Sequence, residues 1–80
     1  MNQQQQIEFF LSLIRGTENP RRFADVICEV IELAGFPKRV DTEVSYLALC
    51  QFYTEIEEYE KCAMLKKKYN NTLNLVHELS

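Results

Sequence analysis

Turn chemistry is scarce in this chain, which has two glycines, two prolines and no Asn-Gly or Asp-Gly pair. Tight β-hairpins need such residues to reach positive φ, so a strand-rich fold has little to build on. Cysteine appears only as Cys28, Cys50 and Cys62, an odd set with no Cys-x-x-Cys spacing. That argues against a disulfide framework and for a reducing compartment. The opening MNQQQQIEFFLSLIRG has no basic residue ahead of its apolar run and no small-residue cleavage site, so it does not read as a secretory leader. No apolar run approaches the roughly 20 residues of a membrane-spanning helix. A soluble cytoplasmic protein with no membrane partner is the expectation.

Catalytic signals are missing as well. The chain lacks a Gly-rich phosphate loop, metal-ligand spacing and an activated nucleophile, so no enzyme activity, no metal and no cofactor is expected. The lone His77, beside Glu78, has no nearby ligand partners and reads as an exposed end residue. The cysteines read as small buried hydrophobes, with only Lys61 beside Cys62 to favour a thiolate.

What is present suits one small globular domain over residues 1–80. Apolar residues make up 46% and charged residues 26%, which excludes full disorder. A chain this short buries only about 60–65% of its unfolded surface, so added burial against a partner brings a large relative gain. The net charge of −3 is unevenly shared. Residues 1–40 hold five basic and five acidic side chains; residues 41–80 hold four and seven. That is a poor electrostatic footprint for nucleic acid.

Apolar spacing predicts helices throughout. Gln3 to Arg15 carries Ile7, Phe10, Leu11 and Ile14, with Phe9 and Leu13 widening the stripe, and Gly16 is placed to end it in a left-handed C′ conformation. Asn19-Pro20 restarts the chain as N-cap and N1. Phe23, Ile27, Val30, Ile31 and Ala34 predict one inward face, with Val26 and Leu33 beside it, before Gly35-Phe36-Pro37 stops the helix. Asp41 or Thr42 caps a third helix after a short connector, with Glu43 in its first turn. Beyond it two readings stand: one helix to about Tyr69, or a hairpin turning at Glu55–Glu58. Lys66-Lys67-Lys68 and Asn70 suggest a helix end, with Leu73, Val76 and Leu79 in a short last helix.

Positions 46–62, YLALCQFYTEIEEYEKC, resemble a tetratricopeptide repeat unit. Tyr46, Leu49, Cys50, Tyr53, Tyr59 and Cys62 hold that pattern's aromatic, Leu and small places, and Glu58 its acidic turn position. Departures fall at Glu57 in place of the turn Gly, Lys66 for a late aromatic, Tyr69 for Ala and Asn74 for the closing Pro. The resemblance implies a helix–turn–helix hairpin with small residues at the crossing, and a role in holding other proteins. An all-α bundle or array of four to five helices, with the hairpin in its C-terminal half, is the expected fold.

The five Phe and four Tyr, added to the aliphatics, exceed what a few short helices easily hide. Phe9 with Leu13, and Phe52 with Ile56, lie off the narrowest stripe and are candidate contact residues. Glu55, Glu57, Glu58 and Glu60 form an acidic knot, while Arg21 and Arg22 sit against the macrodipole in a first turn. Either set, the arginines with Lys38 and Arg39, suits a charged partner. The function expected is a non-catalytic protein–protein interaction module (adaptor, chaperone-like subunit or inhibitor) that self-associates as a homo-oligomer. The alternative is a helix-turn-helix regulator on nucleic acid, although the 35–41 connector exceeds the usual turn.

Overall fold

In a computed structural model the chain forms four helices: α1 (Gln3–Arg15), α2 (Pro20–Ala34), α3 (Thr42–Glu55) and α4 (Tyr59–Leu79). The structure describes residues 2–37 and 41–79, with side chains through Leu73. Expectations for Lys38, Arg39 and the side chains of His77, Val76 and Leu79 fall outside these residues. No strand occurs among the described residues, so this is a small all-α bundle.

Each of the first three helices begins on a side-chain cap. Asn2 accepts from the Gln5 amide, and the Gln5 side chain in turn accepts from the Asn2 amide, closing a capping box. Asn19 accepts from Arg22 N with Pro20 at N1, and Asp41 accepts from Val44 N. These are the starts the sequence predicts for α2 and α3. Gly35 ends α2 at φ 83°, ψ 178°, a region that only glycine enters without strain.

Gly16 departs from expectation. It is right-handed (φ −81°, ψ −5°), not left-handed, and donates to the Ser12 and Ile14 carbonyls. The Thr17 amide and hydroxyl then also take Ile14 O, at 3.3 and 2.9 Å, and close the helix without a left-handed residue. A Cβ on Gly16 would lie 3.1 Å from Ser12 O, so tight approach is what glycine allows here.

The chain turns after Glu55, which settles residues 42–69 as a hairpin. Glu57 N donates to Thr54 O and Glu58 N to Tyr53 O, while Glu57 adopts φ 61°. This is the paired carbonyl capture of a Schellman motif, with the left-handed residue at the place the repeat pattern gives to Gly. Glu in that conformation costs about 1 kcal/mol or more.

A second departure concerns α4, which does not stop at Asn70 but runs unbroken from Tyr59 to Leu79. No Gly or Pro forces an end, and the Thr72 hydroxyl donates back to Lys68 O at 3.0 Å, so it does not act as a new cap. Asn and Thr inside a helix cost only some tenths of a kcal/mol each.

The helices form a ring of neighbours: α1 beside α2 and α3, and α4 beside α2 and α3. Ile7, Leu11 and Ile14 of α1 meet Ala24, Cys28 and Ile31 of α2, six residues of α3 including Leu49 and Tyr53, and Leu65 of α4. The shortest dimension is 18 Å, about two helix layers. Every helix therefore keeps an outer side.

Candidate functional site

The inward face of α2 is not the stripe its sequence suggests. Ala24, Cys28 and Ile31 are buried, while Phe23, Val26, Val30 and Leu33 remain 40%, 54%, 48% and 80% exposed, and Ala34 is exposed too. At 100° per residue the two sets lie about 150° apart on the helix. Together they make an apolar arc of roughly 220°, about twice what one core contact needs. The bundle packs against one edge of that arc, where Ala24 and Cys28 are small enough for close helix approach. The bulky residues on the other edge are left facing out.

At the N-terminal end of this outer face lies a shallow, mainly apolar depression lined by Asn19, Arg22, Phe23 and Val26. Arg22 and Glu29 flank the stripe on one side, and neither has an ion-pair partner among the described residues. The stripe is thus a continuous exposed apolar surface with a charge of each sign beside it. It has no donor set for a metal and no convergent polar groups for chemistry.

The other candidates separate into exposed and internally satisfied groups. Phe9 and Leu13 are about half exposed on α1, and Ile56 is exposed at the hairpin turn. Phe52 is a correction. It is only 6% exposed and sits edge-on against Tyr53 at 5.6 Å, because the hairpin folds that side of α3 into the core. Glu55 receives both hydrogen bonds of a forked contact from Arg15, at 2.7 and 2.6 Å. Glu58 receives Arg21, which also approaches Asp25 at 3.9 Å. Two of the four carboxylates of the knot are thus ion-paired from within, and these pairs tie α1 and α2 to the α3–α4 turn. Glu57 and Arg22 stay exposed.

Asp25 gathers a second tie between α2 and the hairpin. The Tyr53 hydroxyl donates to Asp25 at 2.7 Å, and Lys61 lies 3.3 Å from the same carboxylate and 5.6 Å over the Tyr53 ring. Burial first, then the bond to Asp25, pushes the Tyr53 phenol well above its ordinary range. The phenol therefore stays a donor and is no proton shuttle near neutrality.

Two of the thiols are held in the protonated form. Burial raises Cys28, and burial with neighbouring Cys62 pushes Cys50 up to about 12. Cys50 and Cys62 point at each other's carbonyls, at 3.9 and 3.3 Å, where α3 crosses α4. Small residues permit that approach, as the repeat-like pattern implies. Tyr46 stacks on Tyr69 at 4.6 Å, and Phe36 meets Tyr69 edge-on at 6.4 Å. Tyr69, where the repeat pattern has Ala, is therefore an aromatic anchor for α4. Tyr59 goes against expectation: at 61% exposure it lies outside the seam.

Among the described residues no group of three His, Cys, Asp or Glu could hold a metal ion, and no helix is long and apolar enough to cross a membrane. α3, the second helix of the α2–α3 helix-turn-helix alternative, buries six of its residues and exposes Glu43 and Glu55, the latter paired with Arg15. Comparison with protein-family models finds no match, and comparisons with curated proteins and with solved structures find none either.

Sequence reasoning placed Phe23, Val26, Val30 and Leu33 in or beside the core. One signal for the outer face was present in the 3-4-3 spacing of those residues, next to a separate stripe of smaller ones.

Proposed function

We infer that this protein is a non-catalytic helical interaction module whose working surface is the outer face of α2. The observation that carries the reading is the four-residue stripe Phe23, Val26, Val30 and Leu33, which the chain's own core leaves uncovered. Monomeric domains rarely keep a contiguous apolar surface without using it. A domain this small gains most from further burial. An exposed apolar face on a small bundle suits an adaptor, a chaperone-like subunit or an inhibitor.

Photo-crosslinking residues introduced at positions 26, 30 and 33, in cells of the source organism, test this directly. A discrete protein crosslinked from all three, and lost when Val26→Glu and Val30→Glu are combined in a chain that keeps its helicity, is expected. Silence at all three positions while an exposed α4 control behaves alike would overturn the reading.

A further inference from the structure

Two of the three cysteines face each other across the α3–α4 crossing. Cys50 and Cys62 are 12 positions apart in sequence, on either side of the Glu55–Glu58 turn. The Cys50 thiol donates to Cys62 O at 3.9 Å, and the Cys62 thiol to Cys50 O at 3.3 Å. Each sulfur therefore reaches the backbone of the other residue, so the two Cα–Cβ bonds converge. Converging Cβ atoms on closely approaching backbones are what a disulfide requires. Cys62 is also near enough to shift the ionisation of Cys50. A change of side-chain rotamer separates this contact from a sulfur–sulfur bond. Neither thiol is sealed off: both are half-buried, whereas Cys28 is 3% exposed in the core. The Thr54 hydroxyl, on the exposed side of the crossing, meets the Cys62 sulfur at 3.5 Å.

We propose that Cys50 and Cys62 form a reversible oxidation site, which glutathione disulfide converts to an intramolecular bond stapling α3 to α4. The site lies on a different helix pair from the α2 surface and stands independently of the reading of that surface. Cys62 reacts first. Its thiol releases a proton to solvent and attacks one sulfur of glutathione disulfide, forming a mixed disulfide. The first glutathione leaves as a thiolate and takes up a proton. The Cys50 sulfur then loses its proton, attacks the Cys62 sulfur and displaces the second glutathione, which is protonated in turn. Two protein thiols are thereby oxidised, and one glutathione disulfide is reduced to two thiols. Burial first, and then Cys62, hold Cys50 protonated, which fixes the order of attack. Capping Cys62 with glutathione removes the second of those causes at the step where Cys50 must act. Excess reduced glutathione runs the same exchanges backward and opens the staple.

The test incubates the folded chain in glutathione buffers of graded redox ratio, quenches with acid, and alkylates the remaining thiols after unfolding. Before alkylation the oxidised chain should be lighter by about 2 Da. It should then take up one alkyl group, on Cys28, where the reduced chain takes three. Tryptic peptides 40–61 and 62–66 should appear joined. Cys50→Ser should stop at the mixed disulfide, about 305 Da heavier, and Cys28→Ala should close as the wild-type chain does. The same titration in concentrated urea separates native geometry from nearness in sequence. The folded chain should form the bond with an equilibrium constant roughly tenfold greater, or more. Equal or weaker oxidation of the folded chain, a mixed disulfide on Cys62 that Cys50 leaves unresolved, or linkage through Cys28 would each overturn the proposal. The urea comparison uses the wild-type chain, so it decides the matter even if a variant fails to fold.

Discussion

Helices α2 and α3 are close in length, 15 and 14 residues, and both are dense in apolar side chains, yet the bundle treats them in opposite ways. α3 is held between α1 and α4 and buries Val44, Ser45, Ala48, Leu49, Phe52 and Tyr53. α2 buries Ala24, Cys28 and Ile31 and leaves Phe23, Val26, Val30 and Leu33 exposed. α3 is covered more fully by its two neighbours than α2 is by its own. Position in the bundle, and not how apolar a helix is, decides how much of it is buried.

The sharpest way to break that contrast is truncation on each side of it. Leu49→Ala in α3 should cost about 2–5 kcal/mol by urea melts, because a fully buried side chain leaves a cavity. Leu33→Ala in α2, measured at concentrations where the chain is monomeric, should stay within about 0.5 kcal/mol of wild type. Equal losses at both sites would abolish the distinction.

Alkaline titration probes the α3 side again. A thiol with a raised folded pKa keeps its proton longer when folded. Its contribution is complete below the unfolded value and is lost as pH climbs through the folded one. For Cys50 that window runs from 9.0 to about 12. Stability should fall over this range, and Cys50→Ala should flatten the decline. An equally steep fall in the variant would mean that Cys50 is not the group responsible.

Smaller effects belong to the connections between the two helices. Glu57→Gly relieves a left-handed residue at φ 61° and should stabilise the hairpin by about 0.5–1 kcal/mol, read as a higher thermal midpoint. Arg15→Ala removes a forked pair with Glu55, but both side chains are about half exposed. The loss should be under about 1 kcal/mol and smaller still in high salt.

Much of the fold was legible residue by residue. Asn19-Pro20, Asp41 and Gly35 mark helix ends because each does a backbone job that few other residues can do. The Schellman turn was harder to see, since Glu57 holds a conformation that usually calls for glycine, and so one long helix stayed open as an alternative. The α4 break at Asn70 failed because Asn and Lys signal a helix end only weakly where no backbone restriction enforces it. Phe52 lies off the narrow stripe of α3 yet is buried, because α3 is covered on two sides, by α1 and α4, and spacing along one helix does not report its neighbours. The ion pairs Arg15–Glu55 and Arg21–Glu58 join residues 40 and 37 positions apart, which no local pattern reports.

By itself the sequence determined the all-helical class, the starts of α2 and α3 and the small residues at the Cys50–Cys62 crossing, because these depend on local backbone chemistry and on spacing along one helix. Tertiary structure alone decided which edge of the wide apolar arc on α2 faces inward. Both edges are hydrophobic enough to be buried. The choice fell to close packing: Ala24 and Cys28 let α2 approach its neighbours closely enough to enclose Ile31, and Phe23, Val26, Val30 and Leu33 stay exposed.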